Sequence, residues 1–180
     1  GLTVISLSIG QGELGCTPLQ MANMVATVAN RGHYRIPHVV KRIHDRDSID
    51  ARFYEDHHTK VDARHFDPIV EGMYKAVNEG GTGRIAMVPG LDICGKTGTA
   101  QNPHGADHST FFCFAPRNDP KIAVSVYVEN GRFGATIAAP IASLLTELYL
   151  TDTITRPALV DYVKNMQIAY PYYEKQRKGK

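Results

Sequence analysis

Gly95-Lys96-Thr97-Gly98-Thr99-Ala100 is the stretch that decides how this 180-residue chain is read. Ile93 and Cys94 lead into it, and Pro103 and Gly105 follow it. An apolar entry and a Pro/Gly-rich exit describe an extended strand that ends at an exposed loop. Each residue suits a grip on an anionic, peptide-like ligand. Lys96 brings positive charge, and Thr97 and Thr99 bring hydroxyl donors. Gly98 has no side chain to keep a ligand backbone off the strand. The free N–H groups of such an edge can accept an extended peptide as an added strand. A surface strand with a solvated lysine would have the same spacing, so spacing alone leaves both readings open.

A rival motif overlaps this one. Gly90-Leu91-Asp92-Ile93-Cys94-Gly95-Lys96-Thr97 fits G-x-x-x-x-G-K-[ST], the phosphate-cradling loop. That loop needs a buried strand before it and a helix opening at the Lys-Thr pair, so that the helix N-terminus meets phosphate. Here Pro89 and Gly90 break the chain before the motif, and Gly98, Asn102, Pro103 and Gly105 forbid a helix after it. The nucleotide reading therefore loses to the strand reading.

Composition narrows the classes. A 43% hydrophobic, 21% charged chain has material for one domain with a real core. A net charge of +2, with no basic stripe among aromatics, argues against nucleic acid. No apolar run approaches membrane-spanning length, and the first residues carry no signal-peptide pattern. Cys16, Cys94 and Cys113 form no CxxC, so neither zinc nor a disulfide framework is expected. His57, His58 and His65 sit in a polar segment and are read as solvated surface, with no metal assigned to them.

In order, residues 1–10 read as an apolar strand or loop, turned by Gly10-Gln11-Gly12. Thr17-Pro18-Leu19-Gln20 opens a helix, with Thr17 as N-cap, Pro18 in the first turn and Gln20 closing a capping box. That helix runs to about Asn30, and apolar residues nearly all round it predict burial in the core. Residues 33–43 read as an edge strand and 44–64 as an exposed hairpin or loop. Residues 66–79 carry helical spacing, ended by Gly80-Gly81-Thr82-Gly83. The central strand, residues 110–115 and residues 121–129 then form an antiparallel meander. A helix over 135–150 follows, its start marked or bent by Pro140, with Ile137, Ile141, Leu144, Leu145 and Leu148 facing the sheet. Residues 151–180 read as a short helix and a loose, basic, Tyr-rich tail. A hairpin centred on residue 105 would put Cys94 opposite Pro116 and Cys113 opposite Thr97, so all three thiols are expected to be free.

The fold class is α+β, an antiparallel sheet with packed helices. The motifs now on the page resemble a family. The glycine-flanked Lys-Thr-Gly strand, followed by Phe111 to Pro116 and a valine-rich strand, is similar to that of the penicillin-recognising serine enzymes. Ile9-Gly10-Gln11-Gly12, Thr17-Pro18-Leu19-Gln20-Met21-Ala22 and Asn30-Arg31-Gly32 extend the likeness. Over about residues 5–150 the chain resembles the C-terminal part of the transpeptidase domain of class B penicillin-binding proteins, type 2, the rod-shape elongation enzymes. Residues 1–150 would be that portion of the domain, a partial β-lactamase-like fold.

The resemblance implies a peptidoglycan D,D-transpeptidase that cross-links stem peptides ending in D-Ala-D-Ala through an acyl-serine. Lys96 and Thr99 would serve catalysis, the Thr99 N–H as half of the oxyanion hole. Thr97, Gly98 and Thr99 would bind substrate, the two hydroxyls taking its terminal carboxylate. No cofactor is implied. Expected partners are stem peptides, β-lactams and the cell-wall elongation machinery, with the parent on the extracytoplasmic face of the bacterial inner membrane. None of the six serines has a lysine three residues on, and none begins S-x-N. The chain is thus expected to be a fragment that lacks the nucleophile and its anchor, inactive alone and prone to self-association. A non-catalytic interaction module is the alternative.

Overall fold

The computed structural model describes residues 2–12, 14–44 and 49–168. Three strands, β3 (Cys94–Ala100), β4 (His108–Ala115) and β5 (Ile122–Val128), form an antiparallel sheet in the order β3-β4-β5. The meander expected from the sequence is present, and it leaves β3 as an edge. Helices α2 (Pro18–Ala29) and α3 (Phe66–Asn78) cover one face, and α4 (Ala138–Thr151) covers the other. β4 is the central strand because its side chains serve both layers. Phe111 is buried on the α4 side and Phe114 on the α2 side. Each contributes on the order of 1.5–3 kcal/mol of burial.

The start of α2 is set locally. The Thr17 side chain accepts from the Gln20 N–H, and the Gln20 side chain accepts from the Thr17 N–H, which is the reciprocal capping box. Its burial differs from expectation. Val25 and Ala29 are buried, but Leu19 and Met24 lie exposed. The apolar circumference therefore meets sheet and α3 on one side only. In α3, Phe66, Val70, Met73 and Val77 form the buried stripe at helical spacing.

Four further expectations are corrected. Residues expected to be strand or loop form a helix, α1 (Leu2–Ser8); a short apolar run does not distinguish the two, and no described strand pairs with it. The edge strand over 33–43 shrinks to β1 (His33–Tyr34), paired not with the main sheet but with β2 (His57–His58). Pro37 lacks an N–H, so it cannot donate to a longer ladder.

In α4, which begins at Ala138 with Pro140 in its first turn, the buried face runs through Ala138, Ala139, Ala142, Ser143 and Thr146; of the residues expected to face the sheet, Ile137 and Leu144 are buried but Leu145 and Leu148 are exposed. Small side chains let the helix lie close to β4, with Thr146 Oγ1 3.7 Å from Cys113 Sγ. Finally, the hairpin places Cys94 opposite Phe114 and Cys113 opposite Gly95. The two cysteines are one position apart in face and point to opposite sides of the sheet. All three thiols are free, as expected. Burial pushes Cys94 and Cys113 up to about 12, so neither offers a thiolate near neutrality.

The described part of the C-terminal segment contains α5 (Pro157–Asn165), which packs on α4. The basic tail of residues 169–180 lies outside the described residues. No helix among those described is long and apolar enough to cross a membrane.

Candidate functional site

The chain runs as strand through Gly95, Lys96 and Thr97, and no helix opens there, which removes the phosphate-loop reading. Strand alternation sorts the site residues. Lys96, Gly98 and Ala100 lie across from Phe112, Thr110 and His108 on the α2 side. Gly95, Thr97 and Thr99 lie across from Cys113, Phe111 and Ser109 on the α4 side. A Cβ on Gly95 would come within 2.5 Å of Phe111 Cζ, so this glycine makes room for the core aromatic.

The direction of the backbone groups is shown by three side-chain contacts along β3. Lys96 Nζ donates to the Thr97 carbonyl at 2.6 Å. Gln11 Nε2 donates to the Thr99 carbonyl at 2.8 Å, and the Gln101 N–H donates to Gln11 Oε1 at 3.4 Å. In an antiparallel strand the N–H and C=O of one residue point to the same side. Thr97 and Thr99 therefore present both groups on the free edge. Lys96 is exposed and leans over that edge.

Beside the edge lies a cleft of about 560 Å³ lined by Thr82, Arg84, Thr97, Thr99, Phe133 and Gly134, among others. The Thr82 and Thr97 hydroxyls share a 2.8 Å hydrogen bond. Gly134 lies against the strands, because a Cβ there would be 2.4 Å from the Thr110 carbonyl oxygen and 2.5 Å from that of Gly98. Ser109 holds this turn from below, donating to the Phe133 carbonyl at 2.9 Å and accepting from the Ala138 N–H at 3.2 Å. Ser109 is fully buried and so has a structural task. A larger cleft of about 750 Å³ opens at the far end of β3, lined by Gln11, Asn102, Asp107, His108 and Tyr127 among others. Arg84 and the Thr82, Thr97 and Thr99 side chains line the smaller one, while Lys96 lies on the other face of β3 and is not part of its lining.

Lys96, Thr97, Gly98 and Thr99 thus share one short edge, as their adjacency requires. Thr82, Arg84 and Phe133 are not singled out by the sequence reading, which gives Thr82 only as part of a helix end. The glycines around Thr82 were a usable signal. A Cβ on Gly81 would sit 2.5 Å from Ala76 Cα, so that loop is pinned to α3. Gln11 enters the sequence reading as part of a turn and of a motif of the family resemblance, with no contact to β3 expected.

A strand edge offering aimed amides, paired hydroxyls and cations suits an extended peptide with a carboxylate end. Comparison with known proteins bears on this. Residues 3–147 match the penicillin binding protein transpeptidase domain. The chain is 35% identical over 170 residues to the peptidoglycan D,D-transpeptidase MrdA of Acinetobacter baumannii, covering 85% of this chain and 25% of that protein. It therefore spans about a quarter of that relative's length. It is also similar to Pseudomonas aeruginosa PBP2 in complex with WCK 5153, with a TM-score of 0.72 and 38% identity, covering 83% of this chain and 33% of that one. The imipenem acyl-enzyme complex of penicillin-binding protein A from M. tuberculosis matches with a TM-score of 0.65 and 33% identity, over 79% of this chain and 33% of that one. With its Lys-Thr-Gly edge, its sheet, α2, α3 and most of α4 in the matched span, the chain belongs to the penicillin-binding protein transpeptidase family.

Proposed function

We propose that the complete protein is a peptidoglycan D,D-transpeptidase and that this chain forms the Lys-Thr-Gly wall of its active site. The observation that carries the reading is the outward display of the Thr97 and Thr99 backbone beside Lys96, next to a cleft with Thr82 and Arg84. A serine oxygen attacks the carbonyl carbon of the penultimate D-Ala, and the carbonyl oxygen becomes an oxyanion. The Thr99 N–H donates to it, with a gain realised mainly in the transition state. The bond to the terminal D-Ala then breaks, and that residue leaves as an amine. Its carboxylate is held by the Thr97 and Thr99 hydroxyls, Lys96 and Arg84. An amine of a second stem peptide attacks the acyl-serine carbonyl; the C–N bond forms, the ester bond to serine breaks, and the amine's proton returns to the serine oxygen. β-Lactams acylate the same serine by imitating the dipeptide.

No serine of these 180 residues has a lysine three positions on, so the nucleophile is assigned to a part of the protein outside them. The membrane anchor and the contacts with the elongation machinery are assigned there or to the protein's other surfaces, on the extracytoplasmic side. A fluorescent penicillin is expected to label the complete protein covalently and to leave the isolated 180-residue chain unlabelled. No labelling of the complete protein would favour a non-catalytic interaction module. Labelling of the isolated chain would mean that its own serines include the nucleophile.

The isolated chain is also expected to self-associate. Val4, Ile5, Ile9, Leu14, Leu19 and Met24 are exposed along α1, α2 and their connection, and apolar surface joined into one patch favours association. Sedimentation velocity should show a dimer; a compact stable monomer would refute this.

A further inference from the structure

Gln11 is held in a way that a simple turn residue does not need. It lies between Gly10 at φ 75° and Gly12 at φ 86°, both left-handed, and its N–H donates to the Ser6 carbonyl at 2.9 Å. The chain is therefore bent sharply and tied to the end of α1 while the Gln11 side chain crosses to β3. There its carboxamide gives an N–H to the Thr99 carbonyl and takes the N–H of Gln101.

The Thr99 carbonyl is a group that an acyl donor needs. A peptide pairing antiparallel with β3, its reacting residue opposite Thr99, exchanges two hydrogen bonds with that residue. The donor's carbonyl oxygen accepts from the Thr99 N–H, and the donor's own N–H gives to the Thr99 carbonyl. The first position is open for the reaction. The second is filled by Gln11 Nε2 at 2.8 Å.

We propose that Gln11 is a specificity-determining residue whose carboxamide occupies the strand-edge place of the acyl donor's N–H and is yielded when a donor pairs there. This rests on the transpeptidase reading. The arrangement closes an otherwise open edge to indiscriminate strand addition. It also sets a handicap that falls only on donors using the Thr99 carbonyl. Gln11 acts here by competition, not by contact with the reacting atoms.

Two β-lactams separate these cases. Benzylpenicillin carries an acylamino N–H in the place of the donor's backbone N–H, whereas imipenem carries a hydroxyethyl group and has no such donor. Second-order acylation rates of both are measured on the complete protein, wild type and Gln11→Ala. The expected result is a benzylpenicillin-to-imipenem rate ratio about 3- to 10-fold higher in the variant, the effect of removing one competing hydrogen bond. Gln11→Glu keeps the side-chain size and, ionised, cannot donate, so it should raise the ratio too. An unchanged or lower ratio overturns the proposal, as does loss of imipenem acylation in both variants, which would make Gln11 a structural tether. Failure of imipenem on the wild-type protein would instead count against the transpeptidase reading itself.

Discussion

Lys96→Ala in the complete protein is expected to slow β-lactam acylation by roughly 30- to 900-fold, the equivalent of about 2–4 kcal/mol of transition-state stabilisation. Lys96 is exposed, yet its ammonium is not spent on solvent. It reaches back to the Thr97 carbonyl at 2.6 Å and so stands on the free edge where Thr97 and Thr99 present their amides. On the transpeptidase reading, a cation held there would meet the ligand's carboxylate in a charge-assisted contact, which is worth about twice a neutral one. The core does not depend on it, because the neighbouring buried positions on β3 are Cys94 and Gly95. Thermal stability should therefore stay close to that of the wild type, which separates loss of chemistry from loss of fold. Acylation within a factor of two of wild type would return Lys96 to the status of a solvated surface lysine.

What made this edge legible was local chemistry. Gly-Lys-Thr-Gly-Thr after an apolar entry reads as a strand because each residue acts through its own backbone and side chain. The capping box at Thr17 and Gln20 and the buried stripe of Phe66, Val70, Met73 and Val77 are equally local. The parts that could not be read depend on distant partners. β1 is a strand only because His33 and Tyr34 meet His58 and His57 across a long insertion. The buried face of α4 is mostly alanine, with Leu144 also buried, because Phe111 and Cys113 already fill the space above the sheet. A leucine-weighted reading selects Leu145 and Leu148, which stay exposed. Gln11 lies 88 positions from Thr99, and Thr82 lies 15 from Thr97, so neither pairing leaves a mark at short spacing. The motif thus marks the strand edge, but not the residues that reach it from far along the chain.

The second large effect is expected at a position remote from the cleft. Arg156→Ala should destabilise the fold by about 2–4 kcal/mol, lowering the Tm by roughly 4–16 °C for a chain of this size. Glu147 of α4 is 1% exposed, a burial that a carboxylate tolerates only when paired. It accepts from the Thr155 N–H at 2.9 Å, from Thr155 Oγ1 at 2.6 Å and from Arg156 Nε at 2.9 Å. Arg156 in turn reaches the Met87 carbonyl at 3.4 Å, so one ion pair ties the α4–α5 connection to the segment that leads into β3.

Burial pushes the Glu147 carboxyl up, but donation by Thr155 and Arg156 outweighs it and leaves the group below its ordinary 4.5. A carboxyl depressed in the folded state stabilises the fold above pH 4.5, and that contribution fades as the pH falls through the folded value. In the Arg156→Ala chain the buried carboxyl has lost its cation and favours the protonated form, so acid relieves it. Melting curves of wild type and variant should therefore lie far apart at about pH 7 and converge below pH 4.5. Adding Glu147→Gln to the variant should recover part of the loss at neutral pH, because a neutral amide no longer needs the missing charge. An Arg156→Ala deficit of the same size at both pH values would assign the effect to lost packing of the arginine stem rather than to an orphaned carboxylate.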